Sequence, residues 1–466
     1  MIIPTEQKEK TRLIRQLGLF DTTMIIISIV IGSGIFLTAG IIAKGIPFGF
    51  LILIAWLVGG LHALLGALTY AELGASMPQA GGQYVYLREA YGRFSGFLFG
   101  WVSFSIYLTG IIASLAVGCA EYMGYFFPFM GMENILFKKD FFVLDSYYQF
   151  SLSTGHLTAV IMILMLSLVN YRGVRISKYI TNTSSLIKIG ALLLFICFGL
   201  YADTSYPDNF HINIVTINWP QLLFSFGLAL VAVSWSYAGW EEVSFVTGEV
   251  INPSRNLPRA LIIGTISVTT LYLLINFIYL KALSIEEMSG IVRIGEAAAY
   301  FLWGPTGASL LSIAVIITIL GALNSSILVG PRVFFAMAQD NLFFQKAATV
   351  HPKFKTPGHA VIFQAVWACI LTLSGTFEDL ITLVVFANLM LWIAGAAAVF
   401  TLRRKIPKLP RPYKVWGYPI VPLLFIIGSS SILVNMLFET PIQAITGLLL
   451  TSLGVPIYYF LFRLSK

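Results

Sequence analysis

The sequence predicts an all-α membrane protein of twelve transmembrane helices, and three observations predict it. Hydrophobic residues fill 58% of the 466 positions and charged ones only 11%, a composition that leaves too little polar surface for a water-soluble globule and suits a chain whose main solvent is lipid. Twelve stretches are apolar over about the length a spanning helix needs: 19–44, 48–74, 94–127, 155–169, 183–201, 219–247, 259–282, 296–336, 360–375, 379–402, 418–437 and 442–463. Counted loop by loop from an N-terminus placed in the cytoplasm, 23 of the 29 Lys and Arg fall on the inner side, Lys8, Lys10, Arg12, Arg463 and Lys466 among them. Five fall outside and Lys188 lies within a span. That asymmetry calls for an even number of spans with both termini inside.

Residues 1–18 form a polar, basic arm without the apolar core of a cleavable signal peptide. Span 1 contains IVIGSGIF (Ile29 to Phe36), with two glycines and a serine where a spanning helix should be most regular. In span 2, His62 suits a packing role better than a proton relay. Glu72 at the inner end of span 2, and Glu249 at the inner end of span 6, should each meet an arginine of the inner loops. Glu121, near the outer end of span 3, is expected at the interface. Cys119, Cys197 and Cys369 all lie within spans as small hydrophobes, with no paired cysteines in a loop for a disulfide or metal site. No nucleotide-binding loop, metal-ligand cluster or triad pattern occurs, so neither an enzyme nor a cofactor is expected. The net charge of +8, the run RRKIPKLPRPYK between spans 10 and 11 included, is explained by the inner membrane face and needs no nucleic-acid partner.

The spans fall into two blocks of five, 19–202 and 219–403, with spans 11 and 12 in the remainder, 404–466. Five is odd, so the second block enters the membrane from the opposite side. At the place in span 6 that matches IGSG stands WSYAGWEE (Trp235 to Glu242). Paired interruptions at corresponding positions of two inverted halves mark the midplane site of a secondary transporter. An interruption at Gly32, Ser33 and Gly34 exposes the amides that open a second half-helix, which attract a carboxylate. It also frees carbonyls near Val30 and Ile31, which attract an ammonium. Span 6 offers carbonyls around Trp235 and Ser236, and the whole becomes a receptor for a zwitterion. Glycines that merely allow close helix packing are the competing explanation for either break alone.

The stretches GLFDTTMIIISIVIGSGIF, YAELGASMPQAGGQYVYLREAYG, WSYAGWEEVSFVTGEVINPSRNLPRA and LRRKIPKLPRPYKVWGYPIVP resemble the amino acid/polyamine/organocation permease superfamily, most nearly its L-type amino acid transporters and their bacterial relatives. The resemblance covers essentially the whole chain. It implies the LeuT-type fold, a 5+5 inverted repeat with helices 1 and 6 broken around an amino acid, and alternating access. By resemblance Gly32, Ser33 and Gly34 cradle the carboxylate and Val30 or Ile31 meets the amine. Trp235 closes over the substrate, Ser236 offers its carbonyl, and Ala238 lies near the substrate side chain, where a methyl group favours neutral substrates. Ser325 and Ser326 match the helix 8 position, Asn388 a polar pocket residue of helix 10, and Tyr107 to Ile112 a wall from helix 3. The loop Phe129 to Thr154 has no cysteine, unlike relatives disulfide-linked to a heavy chain, so no such partner is expected.

Two ionisable residues inside spans need a reason, since a charge near the bilayer centre costs at least about 2.5 kcal/mol. Lys188 is expected about eight residues into span 5, roughly 12 Å deep. It matches a family lysine standing where sodium-coupled relatives hold sodium, and either braces helices 1, 5 and 8 or carries a proton; snorkelling is the alternative. Glu241 matches an acid used for coupling, and capping of the second half of helix 6 explains it equally well. Glu242 is the better cap. The expected function is secondary transport of neutral L-amino acids across the plasma membrane, as exchanger or proton symporter. The alternatives are a cationic amino acid or polyamine carrier of the same fold and, outside transport, a channel or membrane enzyme.

Overall fold

The computed structural model describes residues 15–143, 146–202, 206, 209, 219–374 and 376–460. Most of the N-terminal arm, with Lys8, Lys10 and Arg12, and the end of the chain, with Arg463 and Lys466, lie outside the described residues. So do the side chains of 140–143, 146–149 and 174–175. Among the described residues the regular structure is helical, apart from one two-stranded sheet. We number the helices α1 (Leu19–Val30, resumed at Gly34–Leu37 and Ala39–Ala43), α2 (Gly49–Ser76), α3 (Arg93–Phe126), α4 (Thr154–Arg172), α5 (Val174–Tyr201), α6 (Trp219–Tyr237), α7 (Pro253–Ala282), α8 (Ile294–Val329), α9 (Gly358–Thr372), α10 (Phe377–Lys405), α11 (Ile420–Glu439) and α12 (Pro441–Tyr458).

Among the described residues eleven helices are long and apolar enough to cross a membrane, and α9 is apolar but shorter. Side chains such as Leu223, Phe438 and Phe460 stand more than 70% exposed, which suits a molecule surrounded by hydrocarbon. The broken helix α1 and the long α3 are almost wholly buried, whereas α11 and α12 are mostly exposed. Packing follows a pattern that shifts by five. α1 packs on α7 as α6 packs on α2, α5 on α8 as α10 on α3, and α1 on α5 as α6 on α10. α11 lies outside this set, against α2 and α10.

Local chemistry sets the ends. Thr376 and Asp379 form a capping box at the start of α10, with Thr376 Oγ donating to Asp379 at 2.6 Å, and Arg403, Arg404 and Lys405 close its last turn. Span 5 begins nine residues before the expected 183, at Val174, because Gly173 at φ 147° turns the chain there and the polar TNTSS stretch is helical and faces protein. Lys188 is therefore fourteen residues into α5, about 21 Å along it. The loop after α3 is not irregular. Ile135–Val143 (β1) and Ser146–Ser153 (β2) pair antiparallel, and a further helix, Gln83–Tyr91, precedes α3. Cys119 is buried, Cys369 half-buried and Cys197 exposed.

Candidate functional site

α1 stops at Val30, and Ile31 leaves the helical region (φ −78°, ψ 79°). The Gly32 amide turns back to Val30 O at 2.9 Å, and helix resumes at Gly34. The amides of Ser33, Gly34 and Ile35 therefore open a new helical segment, where helical geometry supplies no acceptor. Ser33 Oγ is buried without a hydrogen-bond partner among the described residues. α6 stops at Tyr237, and Gly239 takes φ 97°, a left-handed backbone that favours glycine. The chain then continues as a ten-residue 3₁₀ helix, Trp240–Glu249, unusually long for that type. The two breaks touch. A Cβ at Gly34 would lie 2.6 Å from Ser236 Oγ and 2.7 Å from Ser236 Cα, so only glycine allows this approach.

Between the breaks lies a cavity of about 20 Å³, lined by Ile29, Val30, Gly32, Ser33, Gly34, Ile111, Leu115, Trp235 and Ala238. Six of the residues singled out from sequence thus meet at one place. Ile111, within the stretch expected as the helix 3 wall, and Leu115, beyond it, line the cavity from α3, and no lining side chain is charged. The Trp235 indole is 6.2 Å from the Phe377 ring at a near-perpendicular angle. Ile31, Ser236, Ser326 and Asn388 do not line the cavity. Ser326 Oγ is buried without a partner among the described residues, and Asn388 bonds instead to Glu241.

The carbonyls freed by the breaks are engaged. One hydroxyl, Tyr272 Oη of α7, lies 2.7 Å from Val30 O and 2.9 Å from Ser236 O, sharing its proton between both broken helices. Lys188 is fully buried and donates from Nζ to Ile31 O at 2.7 Å and Ser28 O at 3.0 Å. It does not snorkel, because it sits too far along α5 and faces α1. Ser325, rather than Ser326, extends the tie. Its Oγ donates to Ser28 Oγ at 3.0 Å and lies 3.0 Å from Thr181 Oγ, joining α1, α5 and α8.

Beside this cavity lies a second polar cluster. Glu241 and Glu242 are both fully buried. Tyr107 Oη and Trp392 Nε1 each donate to Glu241 Oε1 at 2.6 Å, and Glu242 Oε1 lies 3.3 Å from the same Tyr107 hydroxyl. Glu242 thus faces Tyr107 from the first turn of the 3₁₀ segment. Tyr107 reaches the pair from a π-helical turn in α3, Ser103–Tyr107, which shifts the helix register there. No Lys or Arg pairs with either carboxyl group among the described residues. The other acids behave as expected: Glu249 pairs with Arg332 at 2.9 Å and Glu72 with Arg403 at 2.6 Å. His62 packs between α2 and α11, 3.0 Å from Ser429 Oγ. Tyr272 and Trp392 are the residues sequence reasoning missed, and Tyr107, expected in the helix 3 wall, turns instead to the carboxyl pair; a lone aromatic within a span gives no periodic signal of its own.

A bundle of about twelve spanning helices, two of them broken around one uncharged cavity, defines a membrane transporter rather than an enzyme. Residues 17–462 match the family model described as "Amino acid permease", and the chain belongs to that family, within the amino acid/polyamine/organocation superfamily. It is 32% identical over 458 residues to the serine/threonine exchanger SteT of Bacillus subtilis, covering 97% of this chain and 98% of that one. It is 29% identical to the human large neutral amino acids transporter small subunit 2, over 96% of this chain and 80% of that protein. It is 27% identical to the branched-chain amino acid permease BcaP of Bacillus subtilis, over 96% and 93%.

Proposed function

We propose that the chain carries neutral L-amino acids across the plasma membrane by alternating access, as an exchanger or a proton-coupled symporter. One observation carries this: the cavity between the breaks is lined by Val30, Gly32, Ser33, Gly34, Trp235 and Ala238, with no charged side chain in its wall. The relatives' names, serine/threonine, large neutral and branched-chain, all fit an uncharged substrate side chain. In this reading Gly32, Ser33 and Gly34 take the carboxylate. The amine uses the remaining lone pairs of Val30, Ile31 and Ser236, Trp235 closes the site, and Ala238, Ile111 and Leu115 meet the side chain, with Ser326 and Asn388 as outlying polar neighbours. Lys188 holds α1 to α5 in place of a metal ion, and Glu241 carries the coupling proton. Blocks 19–202 and 219–403 are the inverted halves, consistent with packing that repeats with a shift of five. Both termini face the cytoplasm, and no disulfide-linked heavy chain takes part.

Proteoliposomes loaded with unlabelled amino acid and offered a labelled panel test this. Uptake of serine, alanine or leucine that needs internal amino acid identifies exchange, and uptake driven by an imposed pH gradient alone identifies symport. Displacement by putrescine or arginine in preference to these refutes the neutral assignment.

A further inference from the structure

The linker joining α10 to α11 is held against the end of α2 by one carboxylate. Glu72, buried, accepts from Arg403 Nε at 2.9 Å and Nη2 at 2.6 Å and from the Val415 amide at 2.7 Å, and lies 3.4 Å from Arg411 Nε. Arg411 also donates to the carbonyls of Leu402, Ile406, Pro407 and Leu409, satisfying the end of α10. Two arginines of the basic run are therefore occupied inside the protein. Arg404, Lys408 and Lys414 are not. All three are exposed and none pairs with a carboxylate among the described residues. The sequence has no Asp or Glu between Asp379 and Glu439.

Within this segment Trp416 stands 77% exposed, just before α11. The exposed residues Ile420, Leu423, Leu424 and Ile427 continue from it down α11 at helical spacing. On a spanning helix that stripe meets acyl chains, so Trp416 sits where chains give way to headgroups, the usual depth of an indole. Three exposed cations without a carboxylate partner among the described residues, all within the twelve positions before that indole in the chain, suit a headgroup with net negative charge.

We infer that residues 404–418 bind the headgroup of an anionic phospholipid, with Arg404, Lys408 and Lys414 around its phosphate and Trp416 seated beside the acyl chains. The test takes the full chain in neutral detergent and titrates it with phosphatidylglycerol, phosphatidylcholine or inorganic phosphate. Bound lipid is counted by native mass spectrometry and thermal melting is followed in parallel. Phosphatidylglycerol is retained and raises the melting temperature, while the other two do neither. Arg404→Gln/Lys408→Gln/Lys414→Gln weakens that retention on the order of a hundredfold, and Trp416→Ala weakens it less. Equal retention of the two lipids, equal protection by inorganic phosphate, or an unchanged phosphatidylglycerol titration in the triple variant overturns the inference. If the triple variant does not fold, a salt titration of the unaltered protein decides. Retention of phosphatidylglycerol falls as ionic strength screens the contact, and retention indifferent to salt overturns it.

Discussion

Tyr272→Phe removes one oxygen atom and tests whether the two helix breaks are held as a unit. The hydroxyl lies 2.7 Å from Val30 O and 2.9 Å from Ser236 O. It has a single proton, so its removal forfeits about one hydrogen bond shared between two buried carbonyls. Val30 O keeps the Gly32 amide at 2.9 Å, and the main loss falls on Ser236 O. Leaving such a group unsatisfied costs about 1–3 kcal/mol. If that cost falls on the arrangement that binds substrate, apparent affinity drops by roughly 5–150-fold. Binding of labelled serine to detergent-purified protein measures this directly, with thermal melting as the fold check. Tyr279→Phe, seven residues on along α7, is the control. Its hydroxyl is fully buried but has no partner among the described residues, so losing it should leave affinity within about twofold and stability unchanged or raised. Equal effects of the two substitutions, or serine affinity unchanged in Tyr272→Phe, refute the tether.

Gly34→Ala places a methyl group against Ser236 Cα and should abolish uptake while the protein still reaches the membrane, which surface labelling and flux together check. Leu115→Ala widens the α3 wall of the cavity; each added methylene in an apolar pocket is worth about 1–3 kcal/mol, so the leucine-to-serine uptake ratio should rise by at least tenfold. Glu241→Gln keeps an oxygen that Tyr107 and Trp392 can both donate to, so folding and exchange should persist while uptake driven by a pH gradient falls to background. Gradient-driven uptake equal to that of the unaltered protein would remove Glu241 from the coupling step.

How far the sequence carried depended on the kind of signal. Interruptions at Gly32, Ser33 and Gly34 and within Trp235 to Glu242 are legible because helix propensity is local, and the structure breaks α1 and α6 within them. α5 starts before its apolar stretch because hydropathy marks lipid contact, and Ser177 and Thr181 are polar residues buried against protein. The hairpin after α3 stands where a loop is expected from the sequence, and its aromatic residues have strand character. Tyr272, Trp392 and the carboxyl contact of Tyr107 lay beyond reach for another reason. Each acts on a residue 36 to 242 positions away in the chain, and such pairings are fixed by helix packing, not by any pattern within one span.

The 3₁₀ segment Trp240–Glu249 is a matter of length as well as hydrogen bonding. Ten residues rise about 20 Å as a 3₁₀ helix but only about 15 Å as an α-helix. The segment runs from the Gly239 turn at the cavity to Glu249, whose side chain holds Arg332 and whose carbonyl holds the amides of Gln16 and Leu17. Rewound as α-helix it would be shorter by about 5 Å. The fold thus bridges the Gly239 turn and the start of α1 with about 5 Å more reach than ten α-helical residues would supply.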